Sequence, residues 1–180
     1  VRTVRGRKAV VQVGFVSETA FRFQMIPALS EGCRKNEVFC FRPAAGISAE
    51  KQEDVVVVSS GRMKLTFRVW PWEMTVELDG RELTREQIRD LNVDQKYKAV
   101  PTGFTVGADG KVSDAFETMY LYCDETFYGF GEKFTGFNKR GQKITIWQRD
   151  AQSTNSDISY KGMPYLMSSQ GYSILLNTYT

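Results

Sequence analysis

Residues 55–80 read VVVVSSGRMKLTFRVWPWEMTVELDG, and their period decides the fold. Leu65, Phe67 and Val69 alternate with Lys64, Thr66 and Arg68; Met74, Val76 and Leu78 alternate with Thr75 and Glu77. A period of two gives each segment one dry and one wet face, which is a half-buried strand. The run from Val55 to Val58 is β-branched throughout, the mark of a strand buried on both faces or placed at a sheet centre. Ser60-Gly61 joins that run to the Leu65 strand. Pro71, between Trp70 and Trp72, ends one strand and begins the next, because proline cannot donate to a ladder. Asp79-Gly80 then supplies a hairpin turn.

The same period continues on either side. Val11, Val13 and Phe15 alternate with Gln12 and Gly14, and Phe21, Phe23 and Met25 with Arg22 and Gln24. Asp109-Gly110 reads as another hairpin turn, and Gln170-Gly171 joins the Tyr165 to Met167 strand to Tyr172 through Leu176. One stretch departs from the pattern. Thr84-Arg85-Glu86-Gln87 fits a capping box with Ile88 and Leu91 three apart, which predicts one helix of two turns at most. A polar loop follows from Asn92 to Pro101. Ten or more short strands and one short helix predict an all-β, antiparallel β-sandwich, with residues 1–180 as one domain.

Composition excludes several classes. A net charge of +3 is too mild to argue for nucleic acid or an anionic membrane as partner. Arg2, Arg5, Arg7 and Lys8 read as a solvated entry to the first strand. The chain has no His, so a Ser-His-Asp triad, a Cys-His nucleophile and a His-ligated metal are all excluded. Cys33, Cys40 and Cys123 form no C-x-x-C pattern, so neither zinc nor a disulfide framework is expected. They read as buried small hydrophobes, and unpaired cysteine fits a reducing, cytoplasmic setting. No metal or cofactor is expected. The longest apolar runs are far too short to span a bilayer.

The candidate chemistry lies in the last third. Asp124, Glu125, Glu132, Asp150 and Asp157 are acids on loops, where any one of them reads as solvated. Gly129-Phe130-Gly131-Glu132-Lys133 lacks the G-x-x-x-x-G-K-[ST] pattern of a phosphate loop; its glycines read as close backbone approach or a bulge. The stretch from Trp147 to Tyr160 is more pointed. Lys143 to Trp147 reads as a strand, followed by Gln148-Arg149-Asp150 and a small, polar loop. Aromatic faces stack on sugar C–H surfaces, and a carboxylate accepts from paired hydroxyls, so Trp147, Asp150 and Tyr160 suit a sugar. On these residues alone the plainer reading is favoured: Trp147 and Tyr160 in the core, Arg149 and Asp150 as an ion pair.

Tyr128-Gly129-Phe130-Gly131-Glu132-Lys133-Phe134 resembles the Y-G-x-G-E-[RK]-F signature of glycoside hydrolase family 31, the α-glucosidases and α-xylosidases. The likeness continues through Arg140-Gly141-Gln142, Trp147-Gln148-Arg149-Asp150, Tyr160-Lys161-Gly162-Met163-Pro164-Tyr165, Ser168-Ser169-Gln170-Gly171-Tyr172 and Asn177. The resemblance implies an N-terminal β-sandwich similar in fold to galactose mutarotase. It implies a fragment, cut before the (β/α)₈ barrel that carries both catalytic carboxylates in that family. The fragment would hydrolyse nothing by itself and holds no catalytic residue. Its parent would be a retaining α-glucosidase or α-xylosidase acting on an α-linked oligosaccharide. The partner implied is the chain's own downstream barrel. By position, Asp150 would contact the sugar on the leaving-group side of the cleaved bond, with the loop from Ala151 to Asn155 and Tyr160 beside it. Gln148 stands where Asn is usual and is assigned no role, and Glu132 is structural. Two alternatives stay open: a free-standing carbohydrate-binding β-sandwich module, and an interaction domain without a ligand. A cut sandwich also leaves unpaired strand edges, through which self-association is expected.

Overall fold

The computed structural model describes residues 9–27, 46–87, 101–150 and 158–177. β1 (Ala9–Ser17) and β2 (Ala20–Pro27) form an antiparallel hairpin. β3 (Ile47–Gln52), β4 (Val55–Ser60), β5 (Met63–Arg68), β6 (Glu73–Leu78) and β7 (Arg81–Arg85) form a five-stranded antiparallel sheet in chain order. β8 (Thr102–Val106) and β9 (Val112–Glu117) pair as a second hairpin. β10 (Phe127–Gly131), β11 (Gly162–Ser168) and β12 (Ser173–Leu175) form a three-stranded antiparallel sheet. Two compact units result. Residues 9–27, 46–87 and 101–120 make the first, and residues 121–150 and 158–177 the second.

The period-two reading accounts for the first unit. The register pairs Val58 with Leu65, Leu65 with Val76, and Phe67 with Met74, which gathers their side chains on one face. Leu65 and Phe15 are fully buried there, with Met63, Phe67, Trp72, Met74 and Val76 nearly so. Val11, Val13, Phe21 and Phe23 of the β1–β2 hairpin pack onto this cluster as a second layer. Phe23 stacks on Phe67 at 6.5 Å, and Phe67 meets Trp72 at 5.7 Å. The opposite face is wet. Lys64 pairs with Glu77 at 2.6 Å and Arg68 with Glu73 at 2.9 Å, each across the β5–β6 ladder. The β4 valines are half-buried rather than buried on both faces, and β4 is flanked by β3 and β5.

The hairpin turn at Asp79-Gly80 forms with φ of +51° and +78°, the two positive values a type I′ turn demands. Arg62 donates from Nε to Asp79 Oδ1 at 2.9 Å across the hairpin mouth. The helix expected from Thr84 is not there. Thr84 and Arg85 complete β7 and pair with Val76 and Thr75. The Glu86 N–H donates to the Met74 carbonyl at 2.8 Å, and Gln87 N–H to Thr118 O at 3.1 Å. Those backbone donors are taken by strand pairing, so a capping box has nothing left to cap. Among the described residues there is no helix; Ile88 and Leu91 lie outside them, as do Arg2, Cys33, Cys40 and the Asn92 loop.

Glu86 is the unusual residue of this unit. Its side chain is fully buried, and Trp72 Nε1 donates to Oε1 at 3.1 Å. Oε2 faces no donor among the described residues. Burial first, then the Glu117 charge beside it, pushes the Glu86 carboxyl up to about 9. Desolvation raises Glu117 as well, although part of that residue meets solvent. Glu86 is therefore a neutral acid at pH 7, and its proton turns an orphan acceptor into a donor toward Glu117.

Candidate functional site

The second unit holds every motif of the last third. β10 and β11 approach so closely that a Cβ on Gly129 would meet Tyr165 O, and one on Gly131 would meet Lys161 O and Met163 N, all inside 3.0 Å. Both glycines also have positive φ, +116° and +74°, and the ladder is irregular between them. The glycine pair is thus close approach with a bulge, as the sequence suggested.

Glu125 overturns the solvated-acid reading. It is fully buried, and it gathers Ser168 Oγ–H and Tyr172 Oη–H onto Oε1, the latter at 2.7 Å. Its Oε2 accepts the Tyr122 N–H at 3.1 Å. One carboxylate thereby ties residues 122–125 to both ends of the β11–β12 turn. Arg140 donates to the Tyr122 and Glu125 carbonyls at 2.7 and 2.6 Å. Lys139 is buried with its ammonium on Gly136 O at 2.8 Å and Thr135 Oγ1 at 3.0 Å. These groups hold the frame. Cys123 is exposed rather than buried: it sits in the turn that the Glu125 N–H closes on the Tyr122 carbonyl at 3.2 Å.

The frame presents a short segment. Residues 143–147 join no ladder, contrary to the expected strand; Lys133 Nζ holds Thr145 O at 2.8 Å. Gln148 bridges Ser159 in parallel, and Arg149 N–H donates to Ser159 O at 3.0 Å. The Gln148 amide bonds Gly162 twice: Nε2 donates to Gly162 O at 2.6 Å, and Gly162 N–H donates to Oε1 at 3.1 Å. Trp147 and Tyr160 stand one residue either side of that bridge, on its two segments, and Asp150 stands two residues beyond Gln148.

The core reading of these aromatics fails. Trp147 is 72% exposed and Tyr160 58%, and Asp150 is exposed too. Among the described residues, no ion pair joins Arg149 to Asp150 and no ring contact joins Trp147 to Tyr160. Lys161 sits 5.5 Å from the Tyr160 ring centre and pairs with Glu132 at 3.2 Å, which raises the lysine above its ordinary value. Glu132 is thus occupied by an ion pair. Ser159 is buried, and its Oγ has no partner among the described residues. Gln148 and Ser159 escaped the sequence reading, since no spacing rule marks a side chain that bonds a distant backbone. The loop 151–157, with Asp157, lies outside the described residues. Among the described residues no cluster of acids, cysteines or histidines is suited to a metal.

Antiparallel sheets throughout the described residues, glycine-enforced packing of β10 on β11 and an exposed aromatic–carboxylate segment define the class: an all-β antiparallel domain. The chain belongs to the family described as the glycosyl hydrolase 31 N-terminal galactose mutarotase-like domain, whose model matches residues 10–180. It is 29% identical over 132 residues to the α-xylosidase XylQ of Lactiplantibacillus pentosus, covering 73% of this chain and 16% of that protein. It is 29% identical over 136 residues to an α-xylosidase of Emericella nidulans, covering 66% of this chain and 16% of that protein. The chain thus spans about a sixth of the length of these relatives. A family 31 α-xylosidase from a soil metagenome, complexed with xylose, superposes with a TM-score of 0.73 over 97% of this chain and 26% of that one, at 19% identity.

Proposed function

We propose that this chain is the accessory N-terminal domain of a retaining α-glycosidase that acts on α-xylosides or α-glucosides. It packs on the catalytic barrel of the same protein and lends Asp150 to the leaving-group subsite. The catalytic carboxylates belong to that barrel, and this chain supplies none. Asp150 accepts hydrogen bonds from hydroxyls of the departing sugar, while Trp147 and Tyr160 offer faces to its C–H surface. The observation that carries this reading is the position of the trio. Three side chains of sugar-binding type lie exposed around one tethered bridge, in the unit that holds all the family motifs. The α-xylosidase relatives support the substrate class.

The test uses the full-length protein with Asp150→Ala. A charged hydrogen bond is worth roughly 1.5–3 kcal/mol, about 10- to 100-fold. The expected result is a loss of that size in kcat/KM on an α-linked oligosaccharide. An aryl α-glycoside, whose leaving group carries no hydroxyls for Asp150, should react as before. Equal activity of the variant on both substrates refutes the subsite role.

A further inference from the structure

We propose that Gln148 is the positioning residue for Asp150: its side-chain amide stands in for a strand peptide against Gly162 and fixes the segment that presents the carboxylate. The proposal rests on the reading of Asp150 given above. Gly162 opens β11 and pairs on one side with Gly131 of β10, where Glu132 N–H takes the Lys161 carbonyl. In a strand, the N–H and C=O of one residue point to the same side, and those of its neighbours to the other. Gly162 therefore turns its own pair away from β10, onto an edge. The N–H and C=O of an open strand edge are free to pair with water or with another group of the chain.

The partner here is a side chain. An amide carries the same donor and acceptor as a peptide, and Gln148 makes both bonds to one residue. Arg149 N–H adds the third bond, to Ser159. These three contacts immediately precede Asp150, while residues 143–147 before them lie in no ladder. The clamp thus governs where Asp150 stands. Gln148 and Arg149 are exposed, outside any sheet, so breaking the clamp shifts their segment without unfolding the sheet. Asn is shorter by one carbon–carbon bond, about 1.5 Å, and cannot keep both bonds from the same backbone position.

The experiment compares Gln148→Ala, Gln148→Asn, Asp150→Asn and the Gln148→Ala/Asp150→Asn pair in the full-length protein. Two readouts are taken: kinetics on an α-linked oligosaccharide and on an aryl α-glycoside, and hydrogen exchange of the Gly162 amide. Gln148→Ala should raise KM on the oligosaccharide about 5- to 20-fold, as expected for losing one or two net hydrogen bonds. It should leave the aryl glycoside unchanged and speed exchange at Gly162. Gln148→Asn should fall between. The double variant should be no worse than Asp150→Asn, because both changes remove one contact. Full oligosaccharide activity in Gln148→Ala, with Asp150→Asn impaired, overturns the clamp and leaves the Asp150 reading intact. Equal losses on both substrates overturn it as well. An unimpaired Asp150→Asn removes the underlying reading, and the clamp's purpose with it.

Discussion

Replacing Glu86 by Gln should stabilise the domain at neutral pH and leave it unchanged in acid. The carboxyl rises from an ordinary value of 4.5 to about 9 on folding. A carboxyl raised by folding contributes stability that is complete below the unfolded value and is lost as pH climbs toward the folded one. Between the two, the unfolded chain has released a proton that the folded chain retains, so stability falls with pH. Each pH unit is worth about 1.4 kcal/mol, so from 4.5 to 7 the loss is about 3 kcal/mol. Gln carries no proton to lose. Its Oε1 can still accept from Trp72 Nε1, and its Nε2 can donate toward Glu117 as the acid does. Urea unfolding of both proteins at pH 4.5, 7 and 8.5 reads the difference. The two should agree within about 1 kcal/mol at pH 4.5 and separate by about 3 kcal/mol at pH 7, with the Glu86→Gln variant the more stable. Parallel pH profiles, or a variant weaker at every pH, refute the neutral buried acid.

Gly131→Ala must push its Cβ into the Lys161 carbonyl at positive φ, so it should cost several kcal/mol and lower the thermal midpoint steeply. Glu125→Ala strands Ser168, Tyr172 and the Tyr122 N–H and should cost about 3 kcal/mol or more by urea unfolding, whereas Glu125→Gln keeps an acceptor and should cost less. Phe67→Ala opens the contact with Phe23 and Trp72 and should cost about 3–5 kcal/mol by the same measurement. Asp150→Ala touches an exposed residue and should change stability by no more than about 0.5 kcal/mol, which separates its effect on catalysis from any effect on folding.

The strands around residues 55–80 were legible because a half-buried sheet writes its period directly into the chain. Val58, Leu65 and Val76 announce their shared face by spacing alone. The Thr84 stretch was not legible, because its local capping pattern loses to pairing with Val76, a partner set by tertiary structure. The same holds for acids. Glu125 and Asp150 look alike in sequence, yet one is a fully buried anchor and the other is exposed; what separates them is Ser168 and Tyr172, more than forty residues beyond Glu125. For Trp147 and Tyr160 the residues alone leave a core position and a sugar-facing one open and favour the core, and the structure exposes both side chains. Gln148 illustrates the limit: a side chain that completes a strand edge carries no periodic signal.

The central claim is that this chain serves a glycosidase from outside the catalytic barrel. An immunoblot of source cells with an antibody raised against it tests that most directly. A barrel adds about 250 residues, roughly 27 kDa. The account predicts a band well above the 20.5 kDa of this chain. A band at 20.5 kDa, from cells lysed under protease inhibition, would contradict it and make the domain a product in its own right.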